Sequence, residues 1–168
     1  NEMILTLRLK APNLVVDEVS VERYSDEVGK SIPVKVVLLN KGNVHATNIE
    51  IVLCEFDGYD NEMEKEIRNN GCPEGSIVSR QTIGAILGVD ASDEPEPVEV
   101  YLLYPVSAGS SDVVVVVDPT NNIVEVSESD NIKKIDQELS SDSPFFDVAG
   151  QVVSNCCLLY TSPSPRDV

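Results

Sequence analysis

The alternation of apolar and polar residues along the chain predicts a succession of short β-strands. Apolar side chains recur at every second position, which is the period at which one face of a strand meets a core. The segments with this pattern are residues 14–21, 32–38, 49–53 and 98–104. We interpret residues 77–87 as a further strand with a bend at Gly84. No helical period extends beyond a single turn, so the sequence predicts an all-β domain.

In the first predicted strand, the apolar positions shift by one residue. Leu14 and Val16 occupy even positions, whereas Val19 and Val21 occupy odd positions. A β-bulge produces such a shift, because one extra residue on the strand exchanges its two faces. We therefore predict a bulge at residues 17–18.

Five consecutive valines, residues 113–117, predict a strand in the middle of the core. A run with no polar face is stable only where both faces of the strand are covered. Residues 118–122 predict a turn, because proline fixes φ and Asp and Asn side chains bond to a tight backbone. A return strand is predicted over residues 123–126. The total of about seven strands favours an immunoglobulin-like antiparallel β-sandwich.

Two connections between the predicted strands stand out. Residues 59–75 are polar and acidic, and we interpret them as a long loop, with or without a short edge strand. In the turn at residues 40–43, Gly42 is expected to adopt a positive φ.

The chain is strongly acidic. Its 168 residues include 12 basic and 29 acidic side chains, which gives a formal net charge of -17. Such a surface repels phosphate backbones and anionic lipid head groups, so we expect no nucleic-acid partner. No segment approaches the roughly 20 apolar residues of a membrane span, so we expect no membrane insertion by this chain.

The four cysteines do not form a zinc pattern, because no Cys-x-x-Cys is present and a single histidine occurs. In an exported protein, we expect Cys54 and Cys72 to pair, and the closed loop would add about 3 kcal/mol of stability. In a reducing compartment the two residues would remain free thiols. Spacing alone does not decide between these alternatives.

The first residues of the chain resemble a segment at the end of the predicted domain, which suggests a repeated domain. Residues 1–10 and residues 131–139 have similar length and alternation. We interpret residues 1–10 as the last strand of a preceding copy or as a linker. The domain itself is expected to cover residues 11–139, and residues 140–155 to form a linker or a truncated next element.

Oxygen-rich side chains around the predicted turn make calcium the strongest chemical hypothesis, because Ca²⁺ binds six to eight oxygen atoms. The candidate ligands are Asp118, Asn121, Asn122, Glu125, Glu128 and Asp130. A second, smaller group contains Asp57, Asp60 and Glu62. In the alternative interpretation, Asp118 and Asn122 bond to the turn backbone and Glu125 and Glu128 face solvent. No other cofactor is expected.

Catalysis is not expected. His45 is the only histidine, no Gly-x-Ser-x-Gly segment accompanies it, and we interpret it as an exposed loop residue. Tyr24, Tyr59, Tyr101 and Tyr104 could stack on a carbohydrate, but Tyr104 is in phase with the core positions of its strand. Scattered packing of the tyrosines is therefore the alternative to a sugar-binding face.

Several groups of residues carry a resemblance to a known family. They are residues 12–16 (PNLVV), Gly29 with residues 32–34 (IPV), residues 40–43 (NKGN) with Ala46, and residues 113–131 with Asp118-Pro119 and Ile123-Val124-Glu125. Over residues 12–138, the sequence resembles CARDB, the cell-adhesion-related domain of bacteria and archaea. The resemblance implies an immunoglobulin-like module that is extracellular, non-catalytic and often tandem. The acidic segment 59–75 and its two cysteines depart from the family pattern.

The last residues have a different resemblance. Residues 157–167 (CLLYTSPSPRD) are similar to a translated sequencing adapter at the end of a reading frame from environmental DNA. We interpret residues 156–168 as a non-native tail, which removes Cys156 and Cys157 from the fold, with a native Ser/Pro-rich tail as the alternative.

The sequence therefore predicts a non-catalytic extracellular or cell-surface module of a tandem-repeat protein, acting as a spacer or in adhesion. Its expected partners are neighbouring repeats, other surface proteins or glycans. The alternative is an accessory domain that holds a glycan or peptide substrate for a secreted multidomain enzyme.

Overall fold

The computed structural model describes residues 10–21, 29–89, 93–107 and 111–136, together with the backbone of residues 145–146 and 152–153. The strands in chain order are β1 (Leu14–Val21), β2 (Ser31–Asn40), β3 (Ala46–Phe56), β4 (Ile77–Ile86), β5 (Val98–Pro105), β6 (Asp112–Val117), β7 (Ile132–Lys134), β8 (Phe145–Phe146) and β9 (Val152–Val153). Helix α1 (Asn61–Asn70) and a short 3-10 turn (Glu74–Ser76) lie between β3 and β4. Residues 1–9 and the tail 156–168 lie outside the described residues.

Two antiparallel sheets form the domain within the described ranges. One sheet has the strand order β1-β2-β5, and the other has the order β4-β3-β6-β7. The strands β8 and β9 pair with each other. The predicted all-β, immunoglobulin-like sandwich of about seven strands is confirmed.

The bulge in β1 lies where the phase of the sequence predicted it. Val16 is paired with Leu38 and Glu18 with Val37, so Asp17 is an extra residue on β1. Leu14 and Val16 therefore face the core before the bulge, and Val21 faces it after the bulge.

The valine run of β6 is buried on both faces, as predicted. Val113, Val115 and Val117 belong to the core between the two sheets. Val114 and Val116 point the other way, into a smaller core beneath α1. All five side chains are buried, so β6 is a central strand between β3 and β7.

The prediction that residues 59–75 form a loop is wrong, because residues 61–70 form α1. Asp60 caps the helix, and its carboxylate accepts hydrogen bonds from the backbone N–H groups of Glu62 and Met63. Gly71 ends the helix at φ 77°. Ile67 is buried, and Met63, one turn earlier, packs on the same side against the sheet. The helix thus supplies the third layer that β6 requires.

The predicted return strand at residues 123–126 is also wrong. The chain leaves β6 through a 14-residue connection, residues 118–131, and pairs with β6 again only at β7. Both carboxylate oxygens of Asp118 accept backbone hydrogen bonds, from Asn122 and Ile123, and these bonds curl the chain away from the sheet. Val124 and Val126 are consequently exposed.

Gly42 is required for close packing and not, as predicted, for a positive φ. A Cβ atom on this residue would lie 2.3 Å from the carbonyl oxygen of Ala11 and 2.5 Å from the backbone nitrogen of Asn13. Among the described glycines, positive φ values occur at Gly29, Gly58 and Gly71. The turn at residues 40–43 therefore presses directly on the segment that leads into β1.

Asp112, the first residue of β6, contacts both the segment that leads into α1 and the strand β7. Its carboxylate lies 2.6 Å from the ammonium of Lys134 and accepts a hydrogen bond from the backbone of Tyr59 at 2.8 Å. These contacts, with Lys134 the largest cause, lower the pKa of Asp112 below its usual value.

Replacement of Ile67 by alanine should lower the free energy of unfolding by about 3 kcal/mol, because it leaves a cavity between α1 and β6. Urea denaturation followed by circular dichroism measures this loss. The matched control is Glu66→Ala, whose exposed side chain should change the free energy by no more than about 0.5 kcal/mol. Equal effects of the two substitutions would show that α1 does not seal the sheet.

The Asp112–Lys134 pair should make stability depend on pH. Because the pKa of Asp112 is lowered in the folded state, its contribution is present above the unfolded-state pKa of about 4 and is lost as pH falls through the lower folded value. Asp112→Asn should therefore destabilise the protein more at pH 7 than at pH 3. Urea denaturation of both proteins at pH 7, 5 and 3 tests this; a difference that does not depend on pH would contradict it.

Candidate functional site

The connection between β6 and β7 contains all six residues of the main predicted calcium site. We call residues 118–131 the β6–β7 loop. It lies at the end of the sandwich where residues 11–13 lead into β1, since the N–H of Val126 donates to the carbonyl of Pro12 at 3.0 Å. We call this the entry end.

The first part of the loop is a hydrogen-bonded turn. Asp118 is buried at φ 47°, and its oxygens accept from the N–H groups of Asn122 and Ile123 at 3.1 and 2.7 Å. Asn121, at φ 49°, donates its side-chain amide to the carbonyl of Arg68 at 3.0 Å. Asn and Asp are the residues that tolerate such left-handed conformations. These side chains bond to backbone, as the alternative interpretation of the sequence predicted for Asp118. The same interpretation named Asn122, whose side-chain amide donates instead to the hydroxyl of Thr120 at 2.6 Å.

Glu125 attaches the loop to the edge of the other sheet. Its Oε2 accepts the backbone N–H of Leu14, and its Oε1 accepts the side-chain amide of Asn131 at 2.9 Å. Glu125 is 8% exposed, so the alternative expectation that it faces solvent is wrong. The reason lies in β1, which is an edge strand and leaves alternate N–H groups without a partner in its sheet.

Asn131 gathers the acidic side chains of the loop. Its amide nitrogen donates to both Glu125 and Glu128, the second at 3.0 Å. The carboxylate of Asp130 accepts the side-chain amide of Asn13 at 3.2 Å. The structure therefore brings Glu125, Glu128 and Asp130 together around two asparagines, of which neither was in the predicted set.

Burial and nearby negative charges disfavour the charged forms of Glu125 and Glu128. Burial raises the pKa of Glu125 to about 7, with a further contribution from the charges of Glu128 and Asp118. Burial, together with the charges of Asp118 and Asp130, also raises the pKa of Glu128. Part of the acidic surface of the loop therefore lies where burial makes a negative charge unfavourable.

Three buried oxygen atoms at this end of the domain accept no hydrogen bond from the described protein atoms. They are Oδ1 of Asn13, Oδ1 of Asp130 and Oδ1 of Asn131. Among the described residues, no group of three or more acidic, histidine or cysteine side chains is arranged to hold a metal ion. Any cation here would therefore need other oxygen ligands as well, such as side-chain amides, backbone carbonyls or water.

The second predicted group of calcium ligands lies at the N-terminus of α1. Asp60 is the helix N-cap, and Glu62 forms an ion pair with Lys65 at 2.7 Å. Asp57 is exposed in the turn before the helix. The first turn of a helix favours acidic residues, because its free N–H groups carry partial positive charge.

Cys54 and Cys72 are joined by a disulfide bond. Cys54 is buried in β3, and Cys72 lies two residues after the end of α1. The bond therefore ties the α1 segment to the sheet that it covers.

The histidine and tyrosines do not assemble into a reactive or sugar-binding site within the described ranges. His45 is exposed, and its Nδ1 accepts the backbone N–H of Gly88 at 2.9 Å. Tyr104 is buried and donates to Glu55, whereas Tyr101 is exposed and Tyr59 packs against Phe56. Tyr24 lies outside the described residues. The three described tyrosines thus occupy different environments and do not form one platform.

Asn40 is a buried polar residue whose role sequence reasoning did not predict. Its Oδ1 accepts the N–H groups of Asn13 and Gly42, both at 3.0 Å, and its amide donates to the carbonyls of Val44 and Ile86. The only signal in the sequence was the conspicuous NKGN turn. Asn40 fixes the segment before β1 against the β2–β3 turn and so helps to place Asn13.

Comparison with solved structures identifies the fold. A domain named as part of a cell surface protein from Methanosarcina acetivorans has 19% identity and a TM-score of 0.51, over 74% of this chain and 88% of that one. This chain shares its fold. At that identity, the similarity establishes the fold and not a common activity.

A CARDB domain from Pyrococcus furiosus, described in complex with di-metal ions, has 19% identity and a TM-score of 0.47, over 77% of this chain and 94% of that one. The predicted resemblance to CARDB is confirmed in the sense that solved CARDB domains are among the similar structures. No protein-family model matches the chain, and no curated protein matches it. Within the described ranges, no helix has the length and apolar character needed to span a membrane.

Replacement of Asp118 by alanine should destabilise the domain by about 2 kcal/mol, because two backbone N–H groups of the turn lose their acceptor and alanine disfavours a positive φ. Asp118→Asn should cost clearly less, since asparagine tolerates that conformation and keeps one acceptor oxygen. Chemical denaturation of the three proteins measures the order. Equal losses for alanine and asparagine would refute the role of Asp118 in the turn.

Proposed function

We propose that this chain is a non-catalytic module of an exported or cell-surface protein and acts as a spacer within a tandem array. The observation that carries the proposal is the position of the two points at which the polypeptide enters and leaves the sandwich. They lie at opposite ends, whereas the termini of single domains are often close together.

The entry point lies beside the β6–β7 loop, as the contacts of Pro12 and Leu14 with Val126 and Glu125 indicate. The exit follows β7, which runs back along β6, so that the N–H of Ile135 donates to the carbonyl of Val113 at 2.9 Å. Entry and exit are therefore separated by the length of β6, about 20 Å for six residues. Modules of this kind can follow one another along a line without reversing the chain.

The disulfide between Cys54 and Cys72 supports an exported location. Disulfide bonds persist in oxidising environments and are rare in reducing ones. The similarity to a domain whose name places it in a cell surface protein agrees with this location, although that similarity concerns the fold. The absence of a reactive constellation among the described residues gives catalysis no support.

The reading frame on either side of this chain tests the spacer function. Further copies of the domain, together with a cell-wall or membrane anchor, are the expected finding. A catalytic domain next to this one, with no further copies, would overturn the spacer proposal in favour of an accessory substrate-binding domain. Glycan-array binding by the isolated chain would then be the next measurement.

Removal of the disulfide should lower stability without changing the fold. Cys54→Ala/Cys72→Ala should lose about 3 kcal/mol, because the bond closes a loop between residues 18 positions apart. Urea denaturation under non-reducing conditions measures the loss. Mass spectrometry of exported, unreduced protein provides the control, and free thiols at both positions would refute the bond.

A further inference from the structure

We propose that Asn13, Glu128, Asp130 and Asn131 form a binding site for one calcium ion, which joins the segment before β1 to the β6–β7 loop. This site shares only Glu128 and Asp130 with the predicted one. Three of the other predicted ligands belong to the turn, Glu125 is bonded to Leu14 and Asn131, and the two asparagines were not predicted. It does not depend on the spacer function, since an ion could bind here in a domain with any role.

The first argument is the set of buried oxygen atoms without donors. Asn131 is 4% exposed, and its Oδ1 accepts no hydrogen bond, although its amide nitrogen contacts two carboxylates. Oδ1 of Asp130 and Oδ1 of Asn13 are in the same situation. Leaving a buried acceptor without a donor is unfavourable, and a cation bound to such oxygens would compensate for it.

The second argument is that the side chains that carry these atoms are connected by hydrogen bonds and by their positions in the chain. Asn13 and Asp130 are joined by the 3.2 Å hydrogen bond between their side chains. Asp130 and Asn131 are consecutive, and Asn131 contacts Glu128 at 3.0 Å. The backbone carbonyl of Asp130 accepts the N–H of Val16, and that of Asn131 accepts the N–H of Val117. These bonds hold both residues between the two sheets.

The third argument is charge. The carboxylates of Glu125 and Glu128 both accept hydrogen bonds from the amide nitrogen of Asn131, so they are close enough to repel each other, and Glu125 is buried. A divalent cation would offset this repulsion. Its ligands are acceptor atoms, and the three Oδ1 oxygens without donors are acceptors.

The donor chemistry favours calcium over other ions. Carboxylate and amide oxygens are hard ligands, and Ca²⁺ accepts six to eight of them, including water, in irregular geometry. Mg²⁺ requires a near-ideal octahedron of shorter bonds. Zinc prefers nitrogen and sulfur ligands, and His45 and the bonded cysteines lie outside this group of side chains.

Thermal unfolding of the full chain with added CaCl₂ at constant ionic strength tests the proposal. The midpoint should rise with calcium concentration, because an ion that binds only the folded state stabilises it by mass action. MgCl₂ should raise it less. No shift at millimolar calcium, or equal shifts with both salts, would overturn the proposal and would indicate water or general charge screening instead.

Variants locate the ion. Asp130→Asn keeps an acceptor for Asn13 but removes a charge, and calorimetric titration should show at least about a tenfold loss of calcium affinity. The control Glu62→Gln, at the other predicted group, should bind calcium like the wild type. If Glu62→Gln loses the affinity and Asp130→Asn keeps it, the proposed site is wrong.

A gain-of-affinity variant covers the case in which Asp130→Asn fails to fold. Asn13→Asp adds a carboxylate beside Asp130, so it should lower the unfolding midpoint without calcium and increase calcium affinity. This opposite response in the two conditions distinguishes a ligand from a residue that only supports the fold. An unchanged or weaker calcium affinity in folded Asn13→Asp would contradict the site.

Discussion

The requirement to cover both faces of β6 determines much of this structure. A strand of five valines has no face that can be exposed to water. The other sheet of the sandwich covers only one of its two faces. The other half is covered by α1, with Ile67 packed against the side chains of Val114 and Val116. The disulfide at Cys54 then holds the segment that contains the helix against β3. The acidic segment 59–75 therefore forms a packed third layer, and its charged side chains lie on the outer side.

A second constraint arises at β1, because an edge strand leaves N–H groups without sheet partners. The β6–β7 loop supplies the acceptors: the carboxylate of Glu125 for Leu14 and the carbonyl of Asp130 for Val16. A tight hairpin after β6 could not reach across to the other sheet. The length of the loop and the burial of Glu125 thus have the same cause, which is the closing of the sandwich at its entry end.

The sequence predicted the features that depend on one strand and its immediate environment. These include the alternating strands, the bulge at Asp17 and the double-sided burial of β6. The sequence pattern did not predict α1, because the helix has only ten residues. The signals for it are Asp60 at its N-terminus, Gly71 at its C-terminus and the spacing of Met63 and Ile67. The course of residues 123–126 and the position of Asn13 beside Asp130 depend on contacts between residues more than a hundred positions apart. No local pattern contains that information.

The two constraints meet where α1 ends. A guanidinium nitrogen of Arg68 donates to the carbonyl of Ser129, and Asn121 donates to the carbonyl of Arg68, both at 3.0 Å. Gly71 is so close to the loop that a Cβ atom would lie 2.2 Å from the carbonyl oxygen of Pro119. The helix that covers β6 therefore also supports the β6–β7 loop, which in turn satisfies β1. The disulfide at Cys72, directly after Gly71, thus holds the end of the helix on which the β6–β7 loop rests.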